Sequence, residues 1–267
     1  MTLDEEKKAR RHQEDLIRLA SFRPFDDTFM RAMFKENLPL AQMVLRIILN
    51  KEDLVLTSCN TQADLKRVTG ARSICLDAYG TDSEGKKYDI EVQRGDEGAA
   101  VRRARYHASA IDVENLDSGD KFEELPDTYV IFITENDVLG QGKPVYKIER
   151  VIMGSDSSFN DGSYIIYVNG SYRGNDAIGR LMHDFNCSNA DDMNYQLMAE
   201  RTRYLKDNPK GVAEMCKQME ELRQQSALET KKEISLNMHA KHYPVKDIAE
   251  IAQVSVEQVN SWIALGK

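Results

Sequence analysis

The run YVIFIT at Tyr129–Thr134 constrains the fold more than any other segment of the chain. Its residues are all β-branched or aromatic, without alternation of polar and apolar side chains, which is typical of a strand buried on both faces. A sheet that contains such a strand needs a packed layer on each side, and helices commonly form those layers. The segment therefore predicts an α/β core.

Helical and extended patterns are distributed around this strand. Apolar residues recur at helical spacing between Phe29 and Ile48, where Pro39 is expected to separate two helices. Further strands are predicted at Val145–Ile152 and Tyr164–Val168, and helices from Gly174 onward. The predicted organisation is a charged N-terminal helix (1–21), an α/β core (22–188), a helical extension (189–240) and a helix–turn–helix-like tail (241–267).

The extended segments ICLDAY and YDIEVQ, on either side of the turn TDSEGKK, have the signature of a β-hairpin. The apolar side chains of both strands share one face if Asp77 pairs with Glu91. Tyr79 then pairs with Asp89. In this register the carboxylates of Asp77 and Glu91 project side by side, with Cβ atoms roughly 4.5–5.5 Å apart.

Two opposed carboxylates repel each other, and spacing alone leaves two interpretations of this pair. In the first, the pair binds a divalent cation such as Mg²⁺, because hard cations take carboxylate oxygens, water and phosphate as ligands. The cation would polarise a phosphate and lower the pKa of a bound water. In the second, the acids form a solvated hairpin face beside Lys86 and Lys87.

A helix of small and basic residues is predicted from Ala99 to Leu116. Its alanine stripe suits close packing on the sheet, and Arg102, Arg103 and Tyr106 share a flank away from that stripe. Guanidinium groups bind phosphate through paired hydrogen bonds, so this flank is a candidate contact for a nucleic-acid backbone. The alternative is an exposed helix whose arginines serve solubility or pair with nearby acids.

Composition limits the classes of protein. Hydrophobic residues make up 41% and charged residues 30%, enough for a substantial core. The net charge of -8 argues against a protein that simply coats nucleic acid, so nucleic-acid binding needs a local basic face. The four cysteines form no close pair of the zinc-binding kind and are expected to be reduced thiols. Neither a membrane-spanning run nor a secretory signal is found, so we expect a cytoplasmic protein without membrane contacts.

Four segments resemble, in order, one known family: PFDDTFMRAMFKEN, CLDAYGTDSEGKKYDIEVQ, RRARYHASAID and LPDTYVIFITEND. They are similar to the recombination-promoting nuclease (Rpn) and transposase family of the PD-(D/E)xK nuclease superfamily. The resemblance covers about residues 22–185. It implies a restriction-endonuclease-like core, in which helices flank a central mixed sheet, followed by a C-terminal helical extension.

The resemblance also implies roles for individual residues. Asp77 and Glu91 would bind Mg²⁺ or Mn²⁺, and Gln93 would take the position of the superfamily's lysine. The Gln93 amide carries no charge, but it can orient the attacking water or hold a phosphate oxygen. Asp27, in the FDDTF motif, is the candidate for a further metal-binding acid, with a helix N-cap as the alternative. The basic flank of the following helix would bind DNA phosphate.

These roles predict a metal-dependent endonuclease that hydrolyses double-stranded DNA with little sequence specificity, in recombination or on mobile or phage DNA. The alternative is a non-catalytic DNA-binding or regulatory module that keeps the nuclease fold. Gln93 and the acidic net charge are the features that favour the alternative.

The C-terminal helices have two features of their own. An apolar seam that fits either internal packing or a homodimer is formed by Val212, Met215, Met219 and Leu222. The final segment resembles a helix–turn–helix in which Ser255 caps the second helix. That second helix, Val256 to Leu265, contains no Lys or Arg, so packing or protein contact is favoured over DNA reading.

Overall fold

The computed structural model describes residues 3–65, 75–155 and 157–265. The helices are α1 (Leu3–Ser21), α2 (Asp27–Phe34), α3 (Leu38–Leu49), α4 (Val101–Glu114), α5 (Ala177–Asn186), α6 (Gln196–Asp207), α7 (Pro209–Ala240), α8 (Val245–Ala252) and α9 (Val256–Leu265). The strands are β1 (Leu56–Asp64), β2 (Cys75–Asp82), β3 (Lys87–Gln93), β4 (Thr128–Thr134), β5 (Val145–Ile148), β6 (Val151–Ile152), β7 (Ser157–Ser158) and β8 (Ser163–Asn169).

Six strands form one mixed sheet in the order β1-β2-β3-β4-β8-β5. The strands β1, β2 and β3 are antiparallel neighbours, β3, β4 and β8 run parallel, and β5 lies antiparallel at the edge. The crossover from β3 to the parallel β4 contains α4, because parallel strands cannot be joined by a tight turn. The predicted fold class, a central mixed sheet flanked by helices with a C-terminal helical part, is confirmed.

Strand β4 lies in the centre of the sheet and every one of its residues is buried, which confirms the prediction from YVIFIT. Its side chains alternate between two packed layers. The layer on the α4 side includes Ala104, Ala108, Ile111, Val130 and Phe132. The opposite side chains of β4, Ile131 and Ile133, are also fully buried, and α2 contacts β1, β2 and β3. The sheet is therefore covered on both faces.

The hairpin of β2 and β3 has the predicted register, with Tyr79 opposite Asp89. Its turn is stabilised by Asp82, whose Oδ1 accepts hydrogen bonds of 2.9 Å from the N–H groups of Glu84 and Lys86. Gly85 adopts φ +84° in this turn, a left-handed conformation that costs glycine little. The predicted start of this hairpin at Ile74 lies outside the described residues.

Two local predictions differ from the structure, and one strand was missed. Strand β1, which pairs along β2, was not predicted, because its sequence LTSCNTQAD has few apolar residues. Pro39 lies in the first turn of α3 instead of between two helices, where the missing N–H of proline has no helical partner to lose. The predicted strand Val145–Ile152 is divided into β5 and β6.

The chain divides into two compact units, Met1–Met215 and Cys216–Lys267. In the second unit, α8 and α9 pack through a small core that contains Ile248 and Val259. The hydroxyl of Ser255 accepts a hydrogen bond of 3.1 Å from the N–H of Gln258, which confirms the predicted cap of α9. The finer division into four parts stays a prediction.

The predicted apolar seam lies on α7 and is not uniformly covered. Met215 and Met219 are buried, Val212 is half-buried and Leu222 is exposed.

No helix in the described part of the chain combines the length and the apolar character that a membrane span requires.

Candidate active site

Asp77 and Glu91 lie where the strands β2 and β3 stop pairing. The ladder between these strands ends one residue before the two acids, whereas β2 stays paired with β1 and β3 with β4. At this point of separation, which we call the fork, side-chain carboxylates accept hydrogen bonds from backbone N–H groups of the opposite strand. The N–H of Asp77 donates to Oε1 of Glu91 at 3.0 Å, and the N–H of Val92 donates to Oδ2 of Asp77 at 3.3 Å. Both carboxylates are therefore held in place by the backbone.

The acids at the fork are buried, which excludes the interpretation of a solvated hairpin face. Asp77 is 7% exposed, and Asp89 and Glu91 are fully buried. Burial, followed by the negative charge of Asp27, raises the pKa of Asp77 to about 6. Burial, followed by the charges of Asp89 and Asp77, raises the pKa of Glu91 to about 9. Burial also raises the pKa of Asp89. Burial and mutual repulsion thus oppose ionisation of these acids unless a positive charge compensates them.

Asp89 is paired with His107 of α4. Nδ1 of His107 lies 2.9 Å from Oδ2 of Asp89, and Nε of Arg103 donates to Nε2 of His107 at 3.2 Å. Because Nε2 accepts a hydrogen bond, the ring proton is assigned to Nδ1, where it is donated to Asp89. Burial lowers the pKa of His107, which agrees with a neutral ring. The other oxygen, Oδ1 of Asp89, is buried without a hydrogen-bond partner among the described residues.

Arg103 is directed into the site. One terminal nitrogen of its guanidinium lies 2.9 Å from Oε2 of Glu91, and the other donates to the carbonyl of Gly98 at 2.9 Å. Gln93 lies between these groups, because its Nε2 is 3.4 Å from Oε2 of Glu91 and its Oε1 is 3.5 Å from Arg103. A Cβ on Gly98 would overlap Oε1 of Gln93, so this position accepts only glycine without a shift of the glutamine.

Asp27 is the first residue of α2, and the N-cap is Asp26 instead. The N-cap alternative for Asp27 is therefore wrong. Arg31 links Asp27 to the fork, since it lies 3.1 Å from Oδ1 of Asp27 and 3.9 Å from Oδ1 of Asp77. The Asp27 side chain is 55% exposed and close enough to influence the pKa of Asp77. The structure thus places Asp27 at the solvent side of the site.

The three residues of the predicted basic flank of α4 differ in burial. Arg102 and Tyr106 are exposed on the helix surface, whereas Arg103 is half-buried against Glu91. A second basic group follows β3 directly: Arg94 pairs with Asp26 at 2.6 Å and with Glu135 at 3.3 Å. Arg94 is therefore paired with other acids, whereas Arg103 contacts an acid of the fork.

The donor set suits a hard divalent cation. Carboxylate oxygens are the ligands that Mg²⁺ and Mn²⁺ prefer. A cation would also offset the negative charges of Asp89 and Asp77, which after burial raise the pKa of Glu91. Asp89, Glu91 and His107 also bring three potential ligand atoms within 4.8 Å of one another. However, the proton on Nδ1 of His107 occupies the lone pair that faces the acids. The carboxylates are therefore the better ligands of the cluster.

Sequence reasoning did not identify the connection from Asp89 through His107 to Arg103, nor the role of Gly98. Two signals were present: His107 follows Arg103 by four residues on a helix, and Asp89 shares a strand face with Glu91. Their meeting depends on the packing of α4 over β3, which no local pattern encodes.

The comparison with protein families agrees with this geometry. The model of the family described as PD-(D/E)XK nuclease family transposase matches residues 27–170, more than half of the chain. The matched range includes the fork, α4 and the parallel strands. No curated protein and no solved structure shows a significant match. The chain therefore belongs to the PD-(D/E)XK nuclease family transposases.

Proposed function

We propose that this protein is a Mg²⁺- or Mn²⁺-dependent endonuclease that hydrolyses double-stranded DNA with little sequence specificity. One observation carries the proposal: in a chain of a PD-(D/E)XK nuclease family, Asp77 and Glu91 are buried side by side where two strands of the sheet separate. Burial of like charges is costly unless a cation compensates them, which supports a metal-binding role for this pair.

Asp77 and Glu91 would hold the cation, with Asp27 as a further acid at the solvent side. The bound cation would polarise the scissile phosphate and lower the pKa of the attacking water. Gln93 would orient that water through its amide. Its Nε2 lies 3.4 Å from Oε2 of Glu91, which supports this role. Asp77, Glu91 and Gln93 are thus the proposed catalytic residues.

Phosphate binding is assigned to α4. Arg102, Arg103 and Tyr106 would contact the DNA backbone, because arginine offers paired donors to phosphate oxygens. Contacts with phosphate carry no direct sequence information, which supports cleavage with little sequence specificity. The transposase description of the family supports a role in recombination or on mobile or phage DNA. A cytoplasmic location and a homodimer stay predictions.

A plasmid-cleavage assay tests the proposal. Supercoiled DNA is incubated with Mg²⁺ or Mn²⁺ and with wild-type protein, Asp77→Asn or Glu91→Gln. The matched control is Glu84→Gln, which changes an acid of the same hairpin whose side chain is 67% exposed. We expect cleavage by the wild type and the control, abolished by EDTA and by either substitution at the fork. Cleavage that survives both substitutions would overturn the assignment of the site.

A non-catalytic DNA-binding module is the second candidate function. Gln93 favours it, because an amide can neither carry a positive charge nor transfer a proton as an acid or base. This candidate predicts DNA binding by the wild type without cleavage in either metal. The same assay, combined with a gel-shift measurement on the same samples, separates the two functions.

A further inference from the structure

Arg103 places a positively charged guanidinium next to Glu91 at the fork. Its guanidinium contacts Glu91, Gly98, Gln93 and His107, and its side chain is 38% exposed. The contact with Oε2 of Glu91 is an ion pair of 2.9 Å. Arg103 therefore holds its positive charge against Oε2 of Glu91 in the protein without bound ions.

A divalent cation at the fork would compete with this arginine. Oε1 of Glu91 already accepts the N–H of Asp77, so Oε2 is the oxygen that a cation would share with Arg103. Two positive groups a few ångströms apart repel each other strongly at a site shielded from water. A protein that binds both therefore gains if the arginine moves to another anion.

Arg103 is held by hydrogen bonds and a ring contact, and its partly exposed side chain has room to leave them. Its Nε is held by Nε2 of His107, which is itself oriented by Asp89, and its guanidinium lies 5.9 Å from the ring centroid of Phe132. The two terminal nitrogens extend from this anchored base toward Glu91 and Gly98. Because the guanidinium is planar and rigid about its Nε–Cζ bond, rotation about the Cγ–Cδ and Cδ–Nε bonds moves it as one unit. The exchange therefore releases the Nε contact with His107 together with the contacts to Glu91 and Gly98.

We infer that Arg103 exchanges partners during the reaction cycle: it donates to Oε2 of Glu91 in the absence of a divalent cation and binds a DNA phosphate when the cation occupies the fork. His107 and Asp89 are positioning residues that act through Arg103. This inference rests on the proposed nuclease function. It makes cation binding and phosphate binding mutually reinforcing, since each event removes a competitor of the other.

Isothermal titration of Mn²⁺ into the full chain, without DNA, tests the first half of the exchange. The proteins are the wild type, Arg103→Met and the control Arg105→Met, which removes an exposed arginine from the same helix. We expect Arg103→Met to bind Mn²⁺ about tenfold more tightly than the wild type, because a repelling charge is removed. Arg103 repels a proton on the acids less strongly than it repels a doubly charged ion. Competition by protons therefore does not cancel the gain in Mn²⁺ affinity. Arg105→Met is expected to match the wild type within about twofold.

Binding of a fluorescent DNA duplex with and without Ca²⁺, read by anisotropy, tests the second half. The duplex is checked on a gel to be intact after each measurement. Ca²⁺ is expected to strengthen DNA binding by the wild type and by Arg105→Met about tenfold. The gain for Arg103→Met should be clearly smaller, because only the contact of the ion itself with phosphate remains. A purely structural role of Arg103 predicts the opposite pattern in Mn²⁺ titration, namely weaker cation binding by a disturbed site.

The outcomes separate this inference from the proposed function. If the wild type binds no Mn²⁺, the proposed function fails and the inference fails with it. If the wild type binds Mn²⁺ but folded Arg103→Met binds it equally or more weakly, only the inference is overturned. If Arg103→Met does not fold, Arg103→Lys replaces it in the test, because lysine keeps the positive charge but lacks the paired N–H donors of arginine. It is then expected to bind Mn²⁺ like the wild type and to lose most of the Ca²⁺-dependent gain, and an undiminished gain overturns the inference.

Discussion

The backbone N–H of Asp77 donates a hydrogen bond of 3.0 Å to the side-chain oxygen Oε1 of Glu91. In return, Oδ2 of Asp77 accepts a hydrogen bond of 3.3 Å from the backbone N–H of Val92 on the other strand. Each acid therefore has a structural role in addition to the proposed chemical one. Substitution can separate the two roles, because an amide side chain keeps an accepting oxygen but loses the charge.

Asp77→Ala and Asp77→Asn are expected to differ in stability and to agree in activity. Alanine leaves the buried N–H of Val92 without its acceptor, which should lower the free energy of unfolding by about 1–3 kcal/mol. Asparagine retains an acceptor and should stay within about 1 kcal/mol of the wild type. Urea unfolding in EDTA measures both values, and the plasmid assay should find neither variant active. Equal losses of stability would show that the hydrogen bond to Val92 does not hold the fork.

Gly98→Ala is expected to impair cleavage through Gln93. The added Cβ would overlap Oε1 of Gln93 and displace the amide from Glu91, so the cleavage rate should fall about ten- to hundredfold. The control is Gly95→Ala, because a Cβ at Gly95 meets no heavy atom within 4 Å. Rates are compared at saturating Mn²⁺ after both variants are shown to unfold at similar urea concentrations. Equal rates for the two variants would remove Gln93 from the proposed catalytic residues.

The pair of Asp89 and His107 is expected to show a favourable coupling energy. A buried hydrogen bond contributes a net stabilisation of about 0.5–1.5 kcal/mol, and here the partners are 2.9 Å apart. The measurement is a double-mutant cycle in urea with Asp89→Ala, His107→Ala and the double variant, all without metal. The two single losses of stability should add up to more than the loss in the double variant. Additive losses would mean that the two side chains are independent.

The reactivity of Cys59 is expected to depend on folding and on pH. Burial in β1 raises the pKa of its thiol from 9.0 to about 11. At pH 8 the folded protein then carries about 0.1% thiolate at this position, against about 10% in the unfolded chain. Alkylation by iodoacetamide, followed by mass spectrometry, should be about a hundredfold slower in the folded protein and should accelerate as the pH approaches 11. A native rate near that of the unfolded chain would contradict the burial of this thiol.

Local pattern was sufficient for the hairpin and the central strand. Alternation of apolar residues selected the register that places Tyr79 opposite Asp89, because a shift by one residue would expose every apolar side chain of the strand. The uninterrupted apolar run of β4 predicted burial on both faces. Strand β1 had no such signal. Its stability comes from pairing with β2, which is a long-range contact.

Arg103 shows where local pattern was insufficient. Helical angle groups it with Arg102 and Tyr106, yet its guanidinium reaches Glu91 while the other two side chains remain exposed. The difference arises because a long side chain near the edge of a packed face can bend toward the sheet. A contact with a buried acid stabilises that conformation of Arg103.

The sequence by itself determined the family, the strand register and the presence of two acids at one point of a hairpin, since these depend on residue order and on the period of a strand. Only the tertiary structure decided that β2 and β3 separate at Asp77, that α4 covers Glu91, and that His107 and Arg103 complete the cluster. These relationships join residues that are distant in the chain. They depend on how helix and sheet pack, and the alternation of residues along one element does not encode that packing.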